Sequence, residues 1–235
     1  MIDMILSFAL AVIPAILAIT LHEAAHGYAA WALGDDTAKK LGRLSLNPLV
    51  HVDRMGTIIL PGFLLISQFL TIGRVGFMFG WAKPVPVAAW KFAHPRRGMM
   101  VVAAAGPAMN FLLAWLAGVA ALGLGILPQG VGALAAEFLD DFIIVNLVLG
   151  LFNLLPIPPL DGGRIVVGLL PERLALEWAK VERFGIVIVL LLVFLIPEIA
   201  RSMGTPFNPV QDALGQILPW AHDWILLLSG HARFS

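Results

Sequence analysis

The sequence contains no cysteine and few charged residues. Its 235 residues include no Cys, and Asp, Glu, Lys and Arg together make up only 13%. Without cysteine there is no disulfide, no thiolate metal ligand and no thiol nucleophile, so His, Asp and Glu are the candidate zinc ligands. The formal net charge is zero and the basic residues form no dense run. We therefore expect no nucleic-acid partner, because such a protein carries a concentrated positive surface.

Apolar residues, in contrast, dominate the composition. The chain is 60% hydrophobic and its mean hydropathy is +0.91, which lies outside the range of soluble domains. Runs of about 17–25 apolar residues can cross a lipid bilayer, and they predict an all-α polytopic membrane protein with about four to six transmembrane helices. We predict a single domain over residues 1–235. The candidate spans are residues 4–33, 98–127, 138–155 and 184–199, and less clearly 56–72 and 210–228.

The first apolar run carries a His-Glu-Ala-Ala-His sequence. His22 and His26 are four residues apart, so on a helix they share one face with about 6 Å of rise between them and can bind one metal ion. Glu23 lies beside the first histidine, where it can take a proton from a metal-bound water. The alternative is a pair of ordinary core histidines. We favour a metal site, because three ionisable groups in such an apolar run are costly without a function.

A third ligand is needed, since catalytic zinc usually has three protein ligands and a water. Pro156, Pro158 and Pro159 break the helix predicted over residues 138–155, and irregular backbone at membrane depth is tolerated where it lines a cavity. Asp161 follows directly. An Asp-Gly pair is also common in turns. Beside an incomplete two-histidine site, however, we predict that Asp161 completes the site for one Zn²⁺ per chain.

Further positions suggest how a substrate could be held. Residues 79–89 contain Pro84 and Pro86, which favour extended backbone, so we predict a short extended, β-like segment. It either adds a substrate strand through main-chain hydrogen bonds or is an ordinary proline-rich connection. Asn110 must face the protein interior or a cavity, and either lines a pocket or bonds a neighbouring helix. Asn153 either orients a substrate carbonyl or caps backbone exposed by the prolines.

Basic residues predict how the chain is threaded. They cluster after the first apolar run and before the run at residues 98–127, and basic loops favour the cytoplasm. We predict an external N-terminus, with residues 35–97 and 156–183 cytoplasmic. The two histidines then lie about 10–16 Å below the cytoplasmic end of the first helix. Whether residues 56–72 cross the bilayer or dip into it and return is left open.

Taken together, these motifs resemble the site-2 proteases, which are intramembrane zinc metalloproteases, in their short bacterial form without an appended PDZ or CBS domain. The resemblance rests on residues 22–26, 106–110 and 153–162, and covers the chain up to about residue 170. It implies that His22, His26 and Asp161 bind zinc and that Glu23 activates water. We expect an integral protein of the bacterial inner membrane and, from the predicted topology, an active site nearer the cytoplasm. Beyond about residue 183 the chain matches the family poorly, so we predict that the helices over residues 184–229 are peripheral.

The same resemblance implies substrate contacts around Asn153 and the extended segment. The predicted substrate-binding residues are Asn153, Asn110, Trp81, Lys83, Pro84 and Val85. The expected function is hydrolysis of peptide bonds within or near transmembrane segments of membrane proteins or peptides. The alternative is a metal or proton transporter that uses the predicted ligands as a transit site. Such a transporter has no need of a base at Glu23, and homo-oligomerisation is left open.

Overall fold

The fold is helical throughout the part of the chain that the computed structural model describes, namely residues 2–73, 80–205 and 207–231. For residues 2–9, 11, 71 and 72 only the backbone is described. The helices are α1 (Ile2–Ala32), α2 (Thr37–Lys40), α3 (Leu60–Ile72), α4 (Pro95–Ala121), α5 (Gln129–Asn153), α6 (Asp161–Leu169), α7 (Glu172–Val181), α8 (Gly185–Leu190), α9 (Ile196–Ser202) and α10 (Pro209–Leu228). Short 3₁₀ or π turns cover Pro48–His51, Arg54–Ile59, Ala89–Lys91, Leu124–Ile126, Glu182–Phe184 and Leu191–Leu195. The all-α prediction is confirmed for these residues.

Helix α4 lies at the centre of the bundle, because it packs against α1, α5 and α6 and also contacts α10. Small residues let helices approach closely, which is how helices commonly pack in membranes. Gly118 of α4 is one such small residue. A Cβ at this position would lie only 2.6 Å from Ser229 Oγ, which is too close for a side chain. The buried cluster between α4, α5 and α10 consists of Ala114, Ala117, Phe142, Ile143, Leu147, Ala221 and Ile225. Helix α10 thus packs directly on α4 and α5, while the peripheral role of residues 184–229 stays a prediction.

The predicted helix break before Asp161 is present. Helix α5 begins at Gln129 rather than at residue 138, ends at Asn153, and is followed by turns up to the start of α6 at Asp161. The peptide bond between Pro158 and Pro159 is cis. The turns fold back onto the first turn of α6, where a Cβ on Gly162 would lie 2.3 Å from the carbonyl oxygen of Leu154. This close backbone contact fixes the position of Asp161.

Residues 80–88 form neither helix nor strand, whereas Phe79 lies outside the described residues. The non-helical segment is therefore as predicted, but its β-like character is not seen. Two main-chain bonds join it to the preceding turns, from the Trp81 N–H to Gly56 O at 3.1 Å and from the Lys83 N–H to His51 O at 2.8 Å. Prolines at 84 and 86 have no N–H with which to continue a ladder.

Two helical stretches in the described ranges are long and apolar enough to cross a membrane, Pro95–Ile126 and Glu172–Ser202. A shorter apolar stretch covers Arg54–Leu70. The α3 part of this stretch leaves Phe63 and Phe69 each 65% exposed, as suits a helix in contact with lipid. The full number of spans and the predicted topology stay predictions.

Candidate metal and active site

Three predicted metal ligands come together between α1 and α6. The Nε2 atoms of His22 and His26 are 3.0 Å apart, and Asp161 Oδ2 lies 3.1 Å from the first and 3.3 Å from the second. His22 and Asp161 are buried, and His26 is half-buried. The two histidines share one face of α1 through their four-residue spacing. Asp161 reaches them because it is the first residue of α6 after the helix break.

The hydrogen bonds of the two imidazoles show why a cation fits between them. His22 Nδ1 faces Asn110 Oδ1 at 2.5 Å, and His26 Nδ1 faces the carbonyl oxygen of Val102 at 2.7 Å. Both oxygens only accept hydrogen bonds, so each neutral ring carries its proton on Nδ1 and leaves a lone pair on Nε2. Asp161 Oδ2 is buried and receives no hydrogen bond from the described residues. Three electron-pair donors thus face one another, an arrangement that a bound cation stabilises.

The spacing of these three atoms fits zinc. Zinc bonds of about 2.0–2.1 Å in a tetrahedral arrangement separate neighbouring ligand atoms by about 3.3 Å. The separations of 3.0–3.3 Å are close to that value. Two imidazoles and one carboxylate also leave a fourth position for water, as in catalytic zinc sites.

Gly106 allows α4 to lie directly against the two imidazoles. A Cβ at this position would lie 2.5 Å from His26 Nε2 and 2.6 Å from His22 Cε1, so any side chain would displace the rings. Gly106 belongs to the motif at residues 106–110, but no role at the metal site was predicted for it. A glycine within an apolar helix is itself a signal of close packing.

Two buried asparagines extend from His22 into the bundle. Asn110, predicted to line a pocket or to bond a neighbouring helix, is fully buried and contacts the His22 ring. Its Nδ2 donates to Asn146 Oδ1 at 2.9 Å. Asn146 was not predicted as a functional residue. It nevertheless carries the same signal as Asn110, namely a polar amide within an apolar run. The substrate-binding role of Asn110 stays a prediction.

Glu23 faces the extended segment. Its Oε2 accepts a hydrogen bond from the Val85 N–H at 3.0 Å. Trp81 accepts a bond at its carbonyl oxygen from Thr57 Oγ1 at 2.9 Å, and Val85 is buried. The predicted base therefore joins the helix of the two histidines to the segment predicted to bind substrate.

Two further buried charges hold the same segment by its main chain. Arg43 donates through Nη2 to Lys83 O at 2.7 Å, with Pro84 O at 3.4 Å, and through Nη1 to Val50 O at 2.6 Å. Asp35 accepts at Oδ2 from the Ala88 N–H at 2.6 Å. The sequence analysis considered neither residue as a contact of this segment, because main-chain contacts so distant in sequence have no local signal.

The cluster around Asp35 stays charged at neutral pH. Burial raises the pKa of Asp35, but hydrogen bonds from Thr37, the Ala88 N–H and Lys91 outweigh it and lower the pKa below 3.8. Hydrogen bonds from Lys40 and Lys91 lower the pKa of the neighbouring Asp36 to about 2. The same bonds to Asp36 and Asp35 raise the pKa of Lys91 above 10.5.

Asn153 is the last residue of α5 and is half-buried. Its Nδ2 donates to the carbonyl oxygen of Leu149 at 3.0 Å, within its own helix. Leu149 lies one turn inside α5 rather than in the backbone that the prolines expose, so the backbone-capping alternative also stays a prediction. A substrate contact at Asn153 stays a prediction.

Comparison with known proteins finds relatives that are named as zinc metalloproteases. The family model of Peptidase family M50 matches residues 129–196. The chain is 40% identical over 213 residues to YwhC of Bacillus subtilis, which is named as a zinc metalloprotease, and the match covers 86% of this chain and 88% of that protein. No solved structure matches the chain significantly.

Two mycobacterial proteins, both named Rip2 and as zinc metalloproteases, are also similar. The protein from Mycolicibacterium smegmatis is 34% identical over 190 residues, covering 75% of this chain and 64% of that protein. The protein from Mycobacterium tuberculosis H37Rv is 32% identical over 185 residues, covering 78% and 66%. The site and these relatives together define a membrane-associated zinc metalloendopeptidase. The chain belongs to peptidase family M50, the site-2 protease family.

Proposed function

We propose that the protein is an intramembrane endopeptidase that hydrolyses peptide bonds within or near transmembrane segments of membrane proteins. The observation that carries the proposal is the position of Glu23. It lies on the helix of two predicted zinc ligands, and its carboxylate contacts the main chain of the extended segment at Val85. A peptide held along that segment would lie beside both the metal ligands and the base.

The reaction divides among the residues of the site as follows. His22, His26 and Asp161 would hold the zinc ion, which when bound polarises a carbonyl group and lowers the pKa of a water molecule. Glu23 accepts the proton from the attacking water and passes it to the leaving amine. The hydrogen bond to the Val85 N–H keeps the Glu23 carboxylate directed towards the segment.

An apolar groove lined by α1 and by the start of the extended segment suits a membrane-derived substrate. It has a volume of about 690 Å³ and lies between α1, at Ile16 and Ile19, and the turns and extended segment, at Gly56 and Trp81. A transmembrane helix must unwind locally before cleavage, because its helical hydrogen bonds shield its amides. The groove would accept apolar side chains of the unwound peptide. We assign substrate contacts to Trp81, Lys83, Pro84, Val85 and Asn153.

The proposed location is the bacterial inner membrane, with the active site nearer the cytoplasmic side. This follows from the basic loops, which favour the cytoplasm. The transporter alternative is not favoured by the protease relatives. It also gives no reason for a carboxylate at Glu23 beside the first histidine.

A single substitution tests the proposal. Glu23→Gln protein and wild-type protein are purified in detergent, and zinc content and cleavage of a model membrane-protein substrate are measured. We expect Glu23→Gln to keep zinc and lose cleavage, because the amide cannot accept the proton. Glu177→Gln, on the exposed surface of α7, is the matched control and should cleave normally. Full proteolysis by the Glu23→Gln protein would overturn the mechanism.

A further inference from the structure

Asn146 is a fully buried polar residue in the middle of α5. Its hydrogen bonds go to Phe142 and Asn110 rather than to any of the three predicted zinc ligands. Its side chain joins the carbonyl oxygen of Phe142, one turn earlier, to the side chain of Asn110 on α4. Buried amides in a membrane bundle are costly unless they are fully bonded, so this connection needs a reason.

The hydrogen bonds fix which way both amides point. Asn146 Nδ2 lies 2.9 Å from Phe142 O, which can only accept, so Asn146 Oδ1 must face Asn110. The facing atom of Asn110 is therefore its donor, Nδ2, at 2.9 Å from Asn146 Oδ1 and 3.4 Å from Ala18 O. Asn110 Oδ1 is left to face His22 Nδ1 at 2.5 Å.

We propose that Asn146 is a positioning residue that acts through Asn110 to keep the proton of His22 on Nδ1, so that Nε2 is free to bind the metal. The inference rests on the zinc site described above. If the Asn110 amide were reversed, its NH₂ group would face Nδ1 and require a lone pair there. The His22 proton would then move to Nε2, the atom that has to bind the ion.

His26 is oriented differently, and this makes the inference testable. Its Nδ1 bonds directly to the main-chain oxygen of Val102, which no substitution removes. Only His22 depends on a relay of side chains, from Phe142 O through Asn146 and Asn110. A change at Asn146 should therefore alter His22 and leave the His26 bond intact.

The experiment compares Asn146→Leu with the conservative variant Asn146→Asp in full-length protein. Leucine has a similar size but no hydrogen-bonding group, so Asn110 Nδ2 loses its shorter hydrogen bond and keeps only the 3.4 Å contact with Ala18 O. A buried carboxyl group can donate to Phe142 O and still accept from Asn110 Nδ2. Leu147→Ala is the control, because Leu147 is a neighbouring buried residue of the same helix that has no part in the relay.

Two measurements are made, zinc affinity by chelator competition and ¹⁵N chemical shifts of the histidine rings in the zinc-free protein. Asn146→Leu should lower zinc affinity about 10- to 100-fold, the range for outer-shell partners of metal-bound histidine. It should also remove the Nδ1–H signature of His22, identified by comparison with His22→Gln. Asn146→Asp should keep both properties near wild type, and Leu147→Ala should keep zinc affinity even if it unfolds at a lower temperature.

Wild-type zinc affinity and an unchanged His22 signature in Asn146→Leu would overturn the inference. An equal loss in Asn146→Asp would overturn it too, because the acceptor would then be irrelevant. If the proposed zinc site itself were wrong, the experiment would give a different result. In that case His22→Gln would bind zinc as tightly as the wild type.

Discussion

The two regions that meet at Glu23 are built in different ways. On one side, the predicted metal ligands lie on α1 and α6, are buried or half-buried, and are held by helix packing and by bonds of the two imidazoles to α4. On the other side, residues 80–88 are irregular and are held by two main-chain bonds to the preceding turns and by three charged side chains, Glu23, Arg43 and Asp35. A metal site needs fixed geometry. A segment that binds and releases peptides, as proposed above, must open locally. A few separate polar contacts allow such opening more readily than a packed core does.

The largest effect is expected when one of the predicted zinc ligands is removed. Asp161→Ala removes the carboxylate that faces the two Nε2 atoms. Zinc affinity should fall by more than about 100-fold, beyond the usual effect of losing an outer-shell partner. The measurement is chelator competition on detergent-purified protein. Exchange of the backbone amides in residues 80–88 should be unchanged, and parallel loss of protection there would show that the two regions are not separate.

A smaller change to the same side leaves all three ligands in place. Gly106→Ala would put a Cβ about 2.5 Å from His26 Nε2, and α4 or the rings must move to admit it. We expect zinc affinity to fall about 10- to 100-fold, as for other disturbances of ligand orientation. The control is Gly130→Ala in α5, where a Cβ meets nothing within 4 Å. Equal zinc affinity for the two variants would contradict the close contact.

The third prediction concerns a substitution that loosens the extended segment and leaves the predicted metal ligands unchanged. Arg43→Met removes bonds to Val50 O and Lys83 O from a buried guanidinium. Charged hydrogen bonds of this kind contribute about 1.5–3 kcal/mol each, so amide exchange in residues 80–88 should accelerate at least roughly 10-fold. Hydrogen exchange followed by mass spectrometry measures this. Zinc affinity should not change, and Arg201→Met, at an exposed ion pair of α9, should alter neither property.

The smallest effect concerns pH. The pKa of Asp35 is below its usual 3.8, so the stability it contributes is complete above pH 3.8 and is lost as pH falls through the lower, folded-state pKa. The pKa of Lys91 is above 10.5, so its contribution is complete below pH 10.5 and is lost above the raised pKa. Protection of the Ala88 amide, corrected for intrinsic exchange, should therefore stay constant between about pH 5 and 9. A marked loss within that interval would show that other groups hold this end of the segment.

The metal side was largely predictable from sequence because its signals are local. His22 and His26 lie four residues apart, so a single helix is enough to place them on one face. Asp161 follows a proline-rich stretch, which indicates a helix break in the sequence itself. The start of α5 was less predictable. Glu137 precedes the apolar run that begins at residue 138, and Asp140 and Asp141 lie near its start, although the helix itself begins at Gln129. Apolar runs predict contact with lipid, whereas helices can continue beyond it.

The extended segment shows where sequence reasoning failed. Pro84 and Pro86 correctly predicted non-helical backbone. A β-like segment was expected, but two main-chain bonds to the preceding turns and three charged side chains hold it. Arg43 and Asp35 are distant from this segment in sequence, so no short motif joins them to it. The pairing of Asn110 with Asn146 was missed for the same reason, because it depends on how α4 packs against α5.

X-ray absorption at the zinc edge tests the central claim most directly, namely that His22, His26 and Asp161 hold one zinc ion. The wild-type protein should contain one zinc per chain, with two imidazole nitrogens and oxygen ligands at about 2.0–2.2 Å. Asp161→Ala should reduce zinc occupancy, and the double variant His22→Ala/His26→Ala should abolish both the zinc and the imidazole signal. Retention of zinc with two imidazoles in the double variant would contradict the account.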